Sequence, residues 1–285
     1  MKLKDLFTKK KTVITETKTT TITTEENIYT DKNELKPFEK VAPEKIGVLD
    51  MVIAFDTTGS MAAYIDAVRQ EVAELIPNLF KDNEDLRLGI VAFGDYCDMN
   101  NAQDFGNAYQ CLMPTDNVNE IIKFINESKD TSGGDGDEFY ELVIKKVVEE
   151  TPWREGATKV LLLIADADPH PLGYTYRDWV VGNQIDWRKE AEKAASMGIK
   201  IDTVSITGAS WYKELSDMTN GISTLFQSSC KTARLMEAAT MARGSMASRE
   251  KFDKSFACYC AEGSMDKEME EVYMKYKKER DCMDI

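Results

Sequence analysis

Three short stretches of this 285-residue chain concentrate oxygen-bearing side chains right beside apolar runs or glycine turns. Asp56, Thr58 and Ser60 follow the run 48–55. Asp135 and Asp137 sit in and just after the glycine-rich turn 131–136. Asp166 and Asp168 follow the run 159–165, the most hydrophobic of the chain. A set of carboxylates and hydroxyls without thiol or imidazole suits Mg²⁺, Mn²⁺ or Ca²⁺ rather than zinc or copper. Carboxylates brought together repel one another unless a cation or a proton intervenes. A lone Asp or Ser after a strand is commonly a helix cap, as Asp56 or Ser60 would be for a helix from Met61, or Asp137 for one from Glu138. Three such loops together exceed what capping requires.

These loops can meet only if the runs before them are neighbouring strands. The runs 48–55, 86–93, 159–165 and 199–206 are nearly continuous in apolar residues, and 109–113 and 221–226 read as shorter strands. Between them, helical spacing of apolar residues predicts helices over 61–80, 118–127, 138–150, 187–197 and 212–218. Continuous apolar strands alternating with helices mean a largely parallel sheet covered on both faces, the doubly wound α/β class. In such a sheet the ligand site lies beyond the carboxyl ends of the strands, where the strand order reverses. All three oxygen-rich loops fall there.

Asp56-x-Thr58-x-Ser60 at the end of a first strand resembles the metal-ion-dependent adhesion site of von Willebrand factor type A domains. The family pattern is Asp-x-Ser-x-Ser, then a Thr from a second loop and an Asp from a third. The order and spacing of elements over 48–226 resemble such a domain along nearly its whole length. The resemblance implies a Rossmann-like, mostly parallel six-stranded sheet with one short antiparallel edge strand at 109–113 and helices on both faces. It implies Mg²⁺, or Ca²⁺ or Mn²⁺, held by Asp56, Thr58, Ser60 and Asp166. Asp135 takes the position of the family's Thr, and Asp137 and Asp168 stand as further ligands or as carboxylates around the ion. Thr58 replaces the first serine of the pattern and offers the same hydroxyl. Asp135 brings a negative charge where the family has a neutral group, which weakens attraction for the partner acid that usually completes the ion's coordination. The Asp-Thr-Thr-Gly-Ser-Met start and the Asp-x-x-Pro-His ending also resemble a subgroup found in intracellular and bacterial proteins, some of which accompany kinases or chaperone-like ATPases. The function implied is divalent-cation-dependent protein–protein interaction without catalysis.

Around the third loop, His170, Tyr174, Tyr176 and Trp179 form a candidate partner-binding surface, since aromatic side chains are frequent anchors of interfaces. His170, fixed between Pro169 and Pro171, reads equally as an organiser of its loop. It is the single histidine of the chain, which argues against His-rich metal sites and the usual general base. Lys and Arg number 36 against 50 Asp and Glu, for a formal net charge of -14. Nucleic acids and anionic membranes are therefore poor partners. Gly133-Gly-x-Gly136 lacks the Lys-Ser/Thr that follows in a phosphate loop.

The expected organisation is a Thr-rich arm and linker over 1–46, the α/β domain over 47–229 and a helical extension over 230–285, ending in a charged helix near 264–281. Two rival functions follow from the same residues. One is a self-assembling scaffold, a homo-oligomer built through 1–46 by strand addition. The other is a metal-dependent phosphohydrolase, against which stands the lack of Lys or Arg inside the three loops; Lys129 and Arg177 are the nearest. No 18-residue apolar run occurs and the basic start 1–11 is followed by threonines, so a cytoplasmic location is expected. Six scattered cysteines fit reduced thiols, with Cys97 and Cys111 a pair only in an exported protein.

Overall fold

The computed structural model describes residues 45–175, 180, 182–226 and 228–283. The Thr-rich arm, apart from its last residues, and Tyr176 and Trp179 lie outside the described residues.

The strands are β1 (Val48–Asp56), β2 (Asp85–Phe93), β3 (Tyr109–Thr115), β4 (Asp137–Glu138), β5 (Thr158–Ala165), β6 (Asp168–Pro169), β7 (Ile199–Ser205) and β8 (Ser223–Leu225). Six of them form one sheet in the order β3-β2-β1-β5-β7-β8. Every neighbouring pair is parallel except β2 with β3, the antiparallel edge. The order reverses between β1 and β5, so the loops after these strands bound the crevice of a doubly wound sheet.

The two-residue period of the strands divides the core into two layers. Leu49, Met51, Ile53 and Phe55 of β1, with Val160, Leu162 and Ile164 of β5, face one side. There they meet α1 (Ala62–Asp82), α2 (Val118–Glu127) and α6 (Ser229–Arg243). Val52 and Ala54, with Leu161, Leu163 and Ala165, face the other side. They pack on α3 (Tyr140–Glu150), α4 (Trp187–Ser196) and α5 (Ser210–Met218). Burial on both faces is why these strands read as continuous apolar runs.

Beyond the sheet, α6 packs on α1, and α7 (Met246–Glu262) and α8 (Lys267–Met283) follow. Gly263, at φ +63, ends α7 in the left-handed conformation that glycine adopts without a Cβ clash. The chain can then return as α8, which buries Met269, Val272, Tyr273 and Tyr276 against the first layer. A buried charge network fastens this return. Arg243 of α6, fully buried, pairs with Asp202 of β7 and donates from Nε to Glu279 of α8 at 2.9 Å. The Tyr276 hydroxyl donates to the same Asp202 at 3.1 Å. These helices thus join the helical layer over the sheet.

Candidate functional site at the strand ends

β1 and β5 run side by side, so Asp56, the last residue of β1, and Asp166, the first after β5, emerge together. Asp56 is fully buried and its carboxylate is densely held. The Thr58 N–H and the Thr58 hydroxyl each donate to Oδ1 at 2.7 Å. The Tyr140 hydroxyl donates to Oδ2 at 2.6 Å and accepts the Ala167 N–H at 3.1 Å. Tyr140, at the start of α3, therefore locks the first loop to the third. Ser60 Oγ lies 3.2 Å from Thr58 Oγ1 and its hydroxyl favours the ionised form of Asp166, whose charge in turn acts on Asp56. Asp56, Thr58, Ser60 and Asp166 form one connected cluster.

Glu138 completes it. The chain does not enter α3 directly after the glycine turn; β4 first pairs in parallel with β6, with Asp137 opposite Asp168 and Glu138 opposite Pro169. This two-residue ladder turns Glu138 inward. It is 3% exposed and lies beside the Thr58 side chain across Gly133. Gly133, at φ +66, clears its path: a Cβ there would lie 2.8 Å from Glu138 Oε1 and 3.2 Å from Thr58 Cβ. The glycine turn is held by Asp98, whose carboxylate accepts the Ser132 N–H and hydroxyl and the Gly133 N–H. The N–H of Gly59 also donates to Ser132 O at 3.3 Å.

Burial of like charges shapes the electrostatics. Burial pushes the Glu138 carboxyl up to about 9, with the Asp56 charge adding to it. Asp56 is pushed up to about 7 by burial, against the pull of Tyr140 and Thr58. Burial also raises Asp166, against the pull of Ser60. Two acceptors in the cluster, Glu138 Oε2 and Asp166 Oδ1, are buried without a hydrogen-bond partner. Asp56 and Asp166, the hydroxyls of Thr58 and Ser60, and Glu138 buried beside Thr58 are oxygen donors of the kind a hard divalent cation takes, whereas the described acidic and imidazole groups whose ligand atoms all come within 4.8 Å of one another are Asp95, Asp135 and His170.

The structure places Asp135 elsewhere. It is exposed, and its ligand atom lies with those of Asp95 and His170, all within 4.8 Å of one another. The Tyr174 hydroxyl donates to Asp135 Oδ2 at 3.2 Å. The inward position in the glycine loop that the sequence reading gave to Asp135 is held by Glu138, because the β4–β6 pairing sets which residue turns in. Asp137 accompanies Asp168 across that ladder instead of capping a helix; α3 begins after Phe139 with no side-chain cap.

His170, read both as a partner contact and as an organiser of its loop, is 4% exposed. Its Nε2 lies 2.6 Å from Asp95 Oδ1, and Tyr174 stacks on its ring at a centroid distance of 3.8 Å. Burial alone would lower the imidazole's proton affinity; the Asp95 hydrogen bond and charge outweigh it and raise it. Next to it, Tyr96 donates to Glu141 Oε1 at 2.8 Å, and burial pushes Glu141 up to about 7. His170 thus joins the third loop to the loop after β2 from within, leaving half-buried Tyr174 above it. Cys97 and Cys111 are both free thiols.

Sequence reasoning missed Glu138, Tyr140, Asp95 and Asp98. The available signal was the loop 94–98, whose acids sit after β2 at the same end of the sheet. Glu138 gave none, since it reads as the first residue of a helix.

A family model described as von Willebrand factor type A domain matches residues 50–239. Among curated proteins, the chain is similar to an alpha-protein kinase, vwkA, of Dictyostelium discoideum, at 27% identity over 168 residues. The matched stretch is 54% of this chain and 25% of that protein, so the similarity spans about a quarter of the relative.

Proposed function

Because the chain belongs to the von Willebrand factor type A domain family, commonly a protein-interaction module, we propose that it binds a protein partner through a divalent cation at the strand-end cluster. Asp56, Thr58, Ser60 and Asp166 hold the ion, and the chain performs no chemistry of its own on the partner. The observation that carries this reading is the buried, unpartnered Asp166 Oδ1 beside buried Asp56. A buried carboxylate oxygen without a donor costs free energy that a cation returns. The bound ion supplies a Lewis-acidic contact point at the crevice. The protein supplies rigidity: Tyr140 fixes Asp56, and Asp98 fixes the glycine turn. Asp135, Asp137 and Asp168 surround the opening, and Tyr174 offers an aromatic contact next to them.

Mg²⁺ is the ion we favour, since the cluster is compact and built from single carboxylates that leave room for water in its coordination. Among the described residues, no Lys or Arg is among the leading influences on Asp56, Glu138 or Asp166, which speaks against a cationic clamp for a transferring phosphate there. The test is calorimetric titration of chelator-stripped protein with Mg²⁺, Mn²⁺ and Ca²⁺, beside Asp56→Ala and Asp166→Ala. A single saturable site abolished by both substitutions supports the reading. Absence of heat and of any shift in melting temperature overturns it.

A further inference from the structure

We propose that Glu138 coordinates the cation directly, filling from within the position that a partner's acidic side chain would otherwise take. The inference rests on the cation reading above and goes beyond it by assigning a further ligand and a consequence for partner recognition. Glu138 is 3% exposed, yet its Oε2 has no hydrogen-bond partner. A carboxylate is not buried with an open oxygen unless a ligand or a proton satisfies it. Its neighbours say which. Oε1 lies over Gly133 next to the Thr58 side chain and the charge of Asp56 acts on the carboxyl, so Glu138 borders Asp56 and Thr58 at the strand ends.

The backbone commits Glu138 to this place. The β4–β6 pairing anchors it opposite Pro169, and Gly133 leaves the space that any Cβ would take. With Asp56, Glu138 and Asp166 all ionised, a divalent cation leaves the cluster one negative charge in excess. Exposed Asp135 and Asp168 and half-exposed Asp137 add to that around the opening. A carboxylate-bearing partner therefore meets an anionic site in which the position it would take is already held by Glu138. Recognition must run through the rim instead of through a borrowed acid.

The experiment is Mn²⁺ binding followed by water-proton relaxation, which reports affinity and the number of inner-sphere waters together. It compares the unmodified chain with Glu138→Gln, Glu138→Ala and Asp135→Asn, with sodium acetate as the probe for an added carboxylate. Loss of an outer partner of a metal ligand costs about 10–100-fold in affinity, so loss of Glu138 itself is expected to cost at least about 10-fold. Glu138→Ala is expected to gain inner-sphere water that acetate displaces, while the unmodified chain shows no acetate effect. Asp135→Asn, which removes a nearby charge but no ligand, is expected to bind as the unmodified chain does. Unchanged affinity and hydration in Glu138→Ala overturn the proposal, as does an equal loss in Asp135→Asn. Absence of Mn²⁺ binding by the unmodified chain overturns the underlying cation reading, and the proposal with it. Glu138→Gln preserves side-chain volume, and its melting temperature in chelator confirms that the variants compared are folded.

Discussion

Raising the pH of the cation-free protein from 6 to 8 should destabilise it, and Glu138→Gln should remove a defined share of that loss. The Glu138 carboxyl sits at about 9 in the folded chain against an ordinary value of 4.5, because burial and the Asp56 charge oppose its ionisation. Between those two values the folded state holds a proton that the unfolded state has released. Stability therefore falls as pH rises through that window. Each such group contributes about 1.4 kcal/mol per pH unit, so two units across Glu138 amount to about 3 kcal/mol. At roughly 2 °C per kcal/mol for a chain of this size, the melting temperature should fall by roughly 6 °C on this account alone. Asp56, at about 7, adds a smaller loss over the first of those two units. The assay is thermal unfolding in chelator at both pH values for the unmodified chain and Glu138→Gln. Titrations shared by the two proteins cancel in the difference. Equal pH slopes for both would refute the reasoning, because they would mean that Glu138 ionises in the folded state as it does in water. Millimolar Mg²⁺ should flatten the slope of the unmodified chain, since the ion binds the ionised form.

Three further outcomes follow from particular contacts. Tyr140→Phe removes the donor to Asp56 Oδ2 and the acceptor of the Ala167 N–H; a loss of about 1–3 kcal/mol in urea unfolding and weaker Mg²⁺ binding in calorimetry are expected. Gly221→Ala would place a Cβ 2.0 Å from the carbonyl oxygen of Ile201, a backbone atom of β7. It should cost about 1–3 kcal/mol or more, read as a drop in melting temperature. Arg243→Met leaves Asp202 and Glu279 without their shared partner. It should cost about 3–5 kcal/mol and raise hydrogen exchange in α8 before it does so in β1.

The sheet was legible because strands buried on two faces must be apolar at every position, and those runs stand out against helical spacing. Asp56, Thr58, Ser60 and Asp166 were legible for a related reason: a parallel sheet brings strand ends together, so oxygen-bearing residues just past two adjacent strands must meet. Glu138 was not. Its direction depends on a two-residue ladder between β4 and β6, too short to leave a periodic signal. For His170 the loop-organising reading fits its burial, but its partner Asp95 was not legible because it lies in the loop after β2, which is long and irregular. α7 was also missed. Its sequence mixes small, charged and aromatic residues around the helix, and among its apolar side chains Phe252 is fully buried while Met246 is exposed.

Anomalous diffraction from crystals grown with Mn²⁺ tests the central claim most directly. The account predicts one strong peak between Asp56, Thr58, Ser60 and Asp166, with a Glu138 oxygen within coordination distance. A peak among Asp95, Asp135 and His170 instead, or no peak at either place, would contradict it.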